Sequence, residues 1–105
     1  MTYENVLSAL ADPTRRHLFE TLAAGPRSVG ALAAAAPVSR PAVSQHLKVL
    51  EGAGLVAAHA AGTSRVYRAR SEGLAPLRAY LDRMWDEALS AFAAEVARQE
   101  GDGNA

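Results

Sequence analysis

Residues 38–56 decide the fold of this chain, and their sequence is VSRPAVSQHLKVLEGAGLV. Arranged as a helix, the stretch has two faces of different chemistry. The apolar face repeats at the three- and four-residue spacing of a helix that packs on a core, through Ala42, Val43, Leu47 and Leu50. The second face carries Arg40, Ser44 and Lys48 four residues apart, with Gln45 beside them and no carboxylate. Cations, hydroxyls and amides are the groups that meet phosphates and base edges in a DNA major groove.

Capping residues predict where this helix begins and ends. Ser39 is a suitable N-cap, and Pro41 is tolerated in the first helical turn. Gly54 suits the position just past the helix, and Leu55 supplies the apolar contact that accompanies such a cap. The expected helix therefore spans residues 39–53.

Similar signals predict three helices before residue 38. Residues 3–10 form a short segment with apolar periodicity. Asp12 as N-cap and Pro13 at the first helical position predict a second helix that ends near Ala24, before the Gly25-Pro26 break. Ser28 caps a third, short helix that extends to about residue 35.

Turn chemistry predicts a β-hairpin after residue 54. Residues 55–60 and 65–70 flank Ala61-Gly62-Thr63-Ser64, a turn that contains glycine. The apolar alternation of the two strands is poor, because several of their residues are alanines, which are weak strand formers.

The last predicted helix, from Leu74 to about Arg98, has two neighbouring apolar stripes. The first consists of Leu77, Leu81, Met84 and Ala88, and the second consists of Trp85, Leu89, Phe92 and Val96. A helix that covers only its own small core needs one stripe, so the second predicts contact with another subunit. The alternative is deeper burial in one monomer. Residues 1–100 are expected to form one domain, and residues 101–105 a disordered tail.

Composition limits the classes of function. The 105 residues include no cysteine, which excludes disulfides and thiolate metal sites and fits a cytoplasmic location. No signal peptide or spanning segment is expected, and therefore no membrane partner. The net charge is zero, but residues 13–70 carry eight basic and two acidic side chains. Residues 71–105 carry three basic and seven acidic side chains. This asymmetry predicts a basic binding face in the middle of the chain.

Four motifs together resemble the ArsR-type winged helix-turn-helix transcriptional regulators. They are LADPTRR at residues 10–16, PAVSQHLKVL at 41–50, GLV at 54–56 and GTSRVY at 62–67. The resemblance covers about Val6 to Phe92. It implies a mainly α fold with a small β-hairpin, the wing, and a homodimer formed through the terminal helices. It also implies repression of an inverted-repeat operator, with helix 39–53 in the major groove and the wing 55–70 on flanking DNA.

The residues expected to contact DNA lie on the recognition helix and at the tip of the wing. They are Ser39, Arg40, Pro41, Ser44, Gln45, His46, Lys48, Thr63, Ser64 and Arg65. Arg40 suits guanine or a phosphate and Gln45 suits adenine, whereas Lys48 is expected at a phosphate. His46 either faces DNA or packs locally. One of Arg15 and Arg16 is expected at the DNA backbone and the other at a carboxylate, and which is which stays open.

The residues expected at the dimer interface lie on the first and last helices. They are Val6, Leu7, Leu10, Leu77, Leu81, Met84, Trp85, Leu89 and Phe92.

Neither a metal nor a cofactor is expected. The last helix has Asp82, Asp86 and Glu87 but no histidine, and zinc and nickel prefer imidazole or thiolate ligands, so these carboxylates are interpreted as solvated. The chain thus resembles the branch of the family without metal ligands, and any small-molecule inducer is unidentified. No nucleophile–base pair or phosphate-binding loop predicts an enzyme. The alternative function is a protein-interaction module of the same fold that does not bind DNA.

Overall fold

Five α-helices and three β-strands form the part of the chain that the computed structural model describes, residues 2–103. In chain order they are α1 (Tyr3–Ala11), α2 (Pro13–Ala23), β1 (Arg27–Ser28), α3 (Val29–Ala35), α4 (Arg40–Gly52), β2 (Val56–Ala61), β3 (Ser64–Ala69) and α5 (Ala75–Gly103). A 3₁₀ turn at Ser71–Leu74 joins β3 to α5. The predicted class, mainly helical with a small β-hairpin, is confirmed.

Three helices begin at the caps that the sequence predicts. The Asp12 carboxylate accepts the backbone N–H groups of Thr14 and Arg15, at 2.8 and 3.1 Å. The hydroxyls of Ser28 and Ser39 each accept the N–H three residues further on, at 3.1 and 3.3 Å. These bonds satisfy backbone donors that have no partner within the helix.

The end of α4 is closed by two backbone hydrogen bonds. The N–H of Leu55 donates to the backbone carbonyl of Leu50 at 3.0 Å, and the N–H of Gly54 donates to the backbone carbonyl of Glu51 at 3.0 Å. This is a Schellman cap, and it requires the left-handed conformation that Gly54 adopts at φ +78°. Gly73 of the 3₁₀ turn packs directly on this cap, because a Cβ added there would lie 2.1 Å from the Gly54 carbonyl oxygen.

The sheet has one more strand than the sequence predicts. The strands are antiparallel in the order β1-β3-β2, with Arg27 opposite Tyr67 and Ser28 opposite Val66. The predicted hairpin is present, with its strands shifted by one residue toward the turn. Ala61 pairs with Ser64, so Gly62 and Thr63 form a two-residue turn in which Gly62 has φ +63°. A glycine with positive φ at this position fits a type II′ hairpin turn.

Side chains from α1 to α4 and from the sheet share one apolar core. Its fully buried members include Leu18, Leu47, Leu50 and Leu55. The predicted apolar face of α4 therefore packs inward, which leaves the face of Arg40 and Lys48 in solvent. Val6, which the sequence assigned to a dimer interface, is 0% exposed in this core. That assignment is wrong, because no surface of Val6 remains for a partner.

Helix α5 projects well beyond this core. The molecule measures 76 × 24 × 21 Å and its radius of gyration is 20.3 Å, whereas a compact chain of this length has a radius of about 13 Å. The helix continues to Gly103, through residues 101–103, where the sequence predicted the start of a disordered tail. Arg98 and Gln99 both bond the Glu95 carboxylate and so stabilise the preceding turn. The remainder of that predicted tail, residues 104–105, lies outside the described residues.

Candidate nucleic-acid interface

A cleft of about 400 Å³ separates the first turns of α4 from the tip of the wing. Its walls come from the start of α3, from α4 and from the β2–β3 turn. The residues that line it are Ser28, Val29, Gly30, Arg40, Ser44, Thr63, Ser64 and Arg65. Five residues predicted to contact DNA are thus brought together, and among the eight lining residues there is no carboxylate.

The two arginines of the cleft are each held against a neighbouring group. Arg40 extends across Gly30, since a Cβ placed on that glycine would lie 4.0 Å from Arg40 Nη1. The Arg65 guanidinium lies 5.7 Å from the centre of the Tyr67 ring, within the range of a cation–π contact. Tyr67 is itself buried, so it provides a fixed support for the wing arginine.

The other predicted contact residues surround the cleft or lie apart from it. Ser39 caps α4 and Pro41 is exposed in its first turn. Gln45 and Lys48 are exposed on the outward side of α4. His46 is half-buried, and it lies near Asp12. The pKa of Asp12 is lowered mainly by the hydrogen bond from the backbone N–H of Arg15 and least by the charge of His46. This placement favours local packing for His46.

Arg15 and Arg16 both bind the end of α1. Arg15 Nε donates to the carbonyl of Ala9 at 2.8 Å, and Nη2 donates to that of Ser8 at 3.2 Å. Its Nη1 also lies 3.9 Å from the Asp12 carboxylate. Arg16 Nη1 donates to the carbonyl of Leu10 at 3.2 Å. Cations at a helix C-terminus donate to its free carbonyls and interact favourably with the negative end of the helix dipole. Arg15 is thus the carboxylate partner, and both arginines join α1 to α2.

Two further cations are also occupied by local acceptors. Arg27 Nη1 donates to the carbonyls of Gly25 and Pro26, at 2.9 and 3.2 Å. Arg70 pairs with Glu72 at 3.2 Å. Arg16 is exposed as well, but among the described residues the exposed cations of the central segment that bind no protein acceptor are Arg40, Lys48, Arg65 and Arg68, all on α4 or the wing. The basic face predicted from the charge distribution is concentrated on these two elements.

A second exposed surface is apolar and follows α5. Its large side chains are Leu81, Met84, Trp85, Leu89 and Phe92, and Leu7 of α1 is exposed as well. Trp85 and Phe92 are the most exposed, at 67% and 68%. Leu10 and Leu77 are half-buried against the core. Tyr3 and Tyr80 stack at 4.0 Å between ring centres and hold α1 on α5, a contact that no sequence pattern indicated.

Residues 2–103 have neither a metal-binding cluster nor a membrane-spanning helix. Residues 2–103 contain no group of three His, Asp or Glu side chains placed to hold a metal ion. Asp82, Asp86 and Glu87 are exposed on α5. No helix within the same range combines the length and the apolarity needed to cross a lipid bilayer.

The helical core, the outward α4 and the antiparallel wing define a winged helix-turn-helix domain. A family model described as a helix-turn-helix domain matches residues 10–58. The HTH-type transcriptional regulator Rv2034 of Mycobacterium tuberculosis is 57% identical over 94 residues, covering 90% of this chain and 87% of the relative.

Solved structures agree with this class. An ArsR-like transcriptional regulator from Rhodococcus sp. RHA1 is 34% identical, with a TM-score of 0.74 and coverage of 86% of this chain and 88% of that one. The homodimeric winged helix-turn-helix DNA-binding domain of Mb0332 from Mycobacterium bovis is 36% identical, with a TM-score of 0.64 and coverage of 80% and 78%. The chain belongs to the ArsR family of winged helix-turn-helix transcriptional regulators.

Proposed function

We propose that the protein is a homodimeric repressor that binds an inverted-repeat operator in double-stranded DNA. In this function α4 enters the major groove, and the wing lies on flanking DNA. The observation that carries the proposal is the placement of Arg40, Lys48, Arg65 and Arg68 as exposed cations on these two elements. The other basic side chains of the central segment bind carbonyls or carboxylates of the protein. A function on chromosomal DNA also agrees with the cytoplasmic location expected from the sequence.

The exposed apolar stripe of α5 supports the dimer. A surface with Trp85, Leu89 and Phe92 in solvent is typical of a helix that pairs with another subunit. The Mb0332 domain, which shares the fold, is described as homodimeric. A twofold pair through α5 and α1 presents two copies of α4, as an inverted repeat requires.

Selection of DNA from a random-sequence pool by the purified full chain tests the proposal. We expect an inverted repeat whose half-site centres lie about 34–36 Å apart, the spacing of one helical turn. Binding should weaken steeply with salt, because cations that bind phosphates release counterions. The matched control is the same duplex with both half-sites scrambled. Equal affinity for the selected and scrambled duplexes would contradict sequence-specific binding.

The same experiment distinguishes the alternative, a protein-interaction module of this fold. Such a module selects no duplex and does not depend on the cations of α4 and the wing. Repression itself is tested with a reporter gene placed downstream of the selected repeat. Expression of the protein should lower reporter output, and an increase would indicate activation instead.

A further inference from the structure

We propose that the cleft between α4 and the wing binds one backbone phosphate of DNA, and that Arg40 contacts this phosphate rather than a base edge. The inference rests on the proposed function and names the DNA group that the cleft receives. It assigns some side chains of α4 to contacts with the DNA backbone and others to the recognition of bases.

The geometry of the duplex leads to this assignment. A helix in the major groove and a wing over the adjacent minor groove of the flanking DNA lie on opposite sides of one sugar–phosphate strand, because that strand separates the two grooves. The strand must therefore pass between α4 and the wing. The cleft of about 400 Å³ occupies that position, and its walls come from both elements.

The chemistry of the lining matches a phosphodiester. Arg40 and Arg65 offer two guanidinium groups from opposite walls, and guanidinium groups bind phosphate oxygens in bidentate fashion. Hydroxyl groups of Ser44, Thr63 and Ser64 add neutral donors. A phosphate accepts hydrogen bonds from all of these groups, and the lining offers no carboxylate to repel it.

Contacts within the protein hold the walls in place before DNA arrives. The short strand β1 pairs with β3, which places Ser28 opposite Val66, next to Arg65. Arg40 extends over Gly30 toward this wall. On an ideal helix Gln45 is rotated about 140° from Arg40. Gln45 is exposed outside the cleft and is therefore available to contact base edges.

A scan of neutral phosphates tests the inference. Methylphosphonate replaces each backbone phosphate in turn in the duplex that the protein selects from a random pool. One symmetric pair of positions, between the major-groove half-site and the flank, should lower wild-type affinity about tenfold or more, as expected for lost bonds to a charged group. In the double variant Arg40→Ala/Arg65→Ala, the same replacement should have a much smaller effect, because only the hydroxyl donors of the cleft remain.

A control arginine and a base-substitution series complete the design. Arg68→Ala removes an exposed wing arginine outside the cleft, and this variant should keep the full sensitivity to the neutral phosphate. Arg40→Ala should weaken binding to all single-base variants of the duplex by the same factor. Thermal unfolding monitored by circular dichroism checks that each variant is folded.

Two results would overturn the inference while sequence-specific binding stands. One is a neutral-phosphate effect that is equally large in the double variant. The other is a loss of discrimination at a single base pair in Arg40→Ala, which would assign that arginine to a base edge. If the wild-type chain selects no duplex at all, the proposed function itself is wrong, and the cleft has no DNA strand to bind.

Discussion

Individual arginines in this chain have different roles that depend on what their guanidinium groups contact. Arg15 and Arg16 donate to carbonyls at the end of α1. Arg27 donates to the backbone carbonyl of Gly25, in the loop between α2 and β1. Arg40 and Arg65 instead line an open cleft. A neutral net charge is therefore compatible with a DNA-binding surface, because the excess cations are positioned on two elements.

Gln45 and Lys48 should contribute to DNA binding in distinguishable ways. Gln45→Ala should cost about 1–3 kcal/mol on the selected duplex and relax the preference at one base pair, because an amide side chain recognises a base edge. Lys48→Ala should weaken all duplexes alike and reduce the salt dependence by about one phosphate contact. Fluorescence anisotropy across single-base variants and salt concentrations measures both effects. Unchanged base preference in Gln45→Ala would remove Gln45 from base recognition.

Gly73 is the residue whose replacement should most directly disturb the join between α4 and α5. Gly73→Ala places a Cβ 2.1 Å from the Gly54 carbonyl oxygen. The backbone must shift, and we expect a loss of about 1–3 kcal/mol in unfolding free energy, as for other overpacked sites. Urea denaturation measures this change.

Gly52→Ala provides the matched control for this substitution. A Cβ at Gly52 meets no atom within 4 Å, and the residue lies in α4. Alanine should therefore stabilise the protein by up to about 1 kcal/mol, since it favours helix over glycine. Equal effects of the two substitutions would contradict the close packing of Gly73 on the α4 cap.

At the level of elements, one carboxylate contributes to the α1–α2 junction on both of its sides. Asp12 caps α2 through two N–H groups and pairs with Arg15, which also binds the end of α1. The pKa of Asp12 is lowered chiefly by the hydrogen bond from the Arg15 backbone N–H. Because this pKa is lower in the folded than in the unfolded state, the ionised carboxylate stabilises the fold at pH values above the unfolded-state pKa, which is about 3.9. This stabilisation is lost as the pH falls through the folded-state pKa.

Replacement of Asp12 by a neutral cap should reveal this pH dependence. Asp12→Asn keeps an acceptor for the α2 N–H groups but lacks the charge. Its melting temperature should lie below that of the wild type at pH 7, and the gap should close below about pH 3.9. Circular dichroism melts between pH 7 and pH 2.5 measure the gap, and Asp12→Ser should behave in the same way. A gap that stays constant with pH would show that the charge is not involved.

Elements with local signals could be predicted from the sequence, and elements made by tertiary contacts could not. Caps at Asp12, Ser28 and Ser39 predicted the starts of three helices because each bond is formed within three residues. Strand β1 was missed because two residues have no periodicity, and it exists only through its pairing with β3.

The candidate site follows the same division. The outward face of α4 was predictable from its four-residue spacing, whereas the cleft depends on how the wing folds toward Arg40. The acceptors of Arg15 and Arg16 lie six or seven residues back on another helix, so the sequence left their roles open. Val6 was misassigned because apolar residues occupy two faces of α1, and periodicity alone does not tell which one the core takes.

At the scale of the whole molecule, the projecting α5 is the main departure from a compact shape. Its apolar stripe extends through Phe92 while the helix leaves the core. Charged residues such as Arg83, Asp86 and Glu87 occupy the other side of the helix. This amphipathic arrangement is consistent with pairing along α5 in the proposed dimer.

Charges placed on the α5 stripe should separate the subunits. Trp85→Glu and Phe92→Glu put carboxylates into the proposed interface, and analytical ultracentrifugation should show monomers. DNA affinity should fall by about 10²–10⁴-fold, because two linked half-site contacts become independent. Ser90→Glu places the same charge on the opposite side of α5, and this variant should stay dimeric and bind DNA normally. A dimeric Trp85→Glu/Phe92→Glu variant would contradict pairing through this stripe.

In the proposed repressor, the length of α5 that leaves the core would also link gene control to the amount of protein that a cell synthesises. A subunit on its own exposes Trp85 and Phe92 to water, whereas the association that we propose would remove them from it. When most subunits are single, the number of associated pairs follows the square of the subunit concentration. Promoter occupancy would then respond steeply to gene dosage and to dilution during growth, even without a chemical effector.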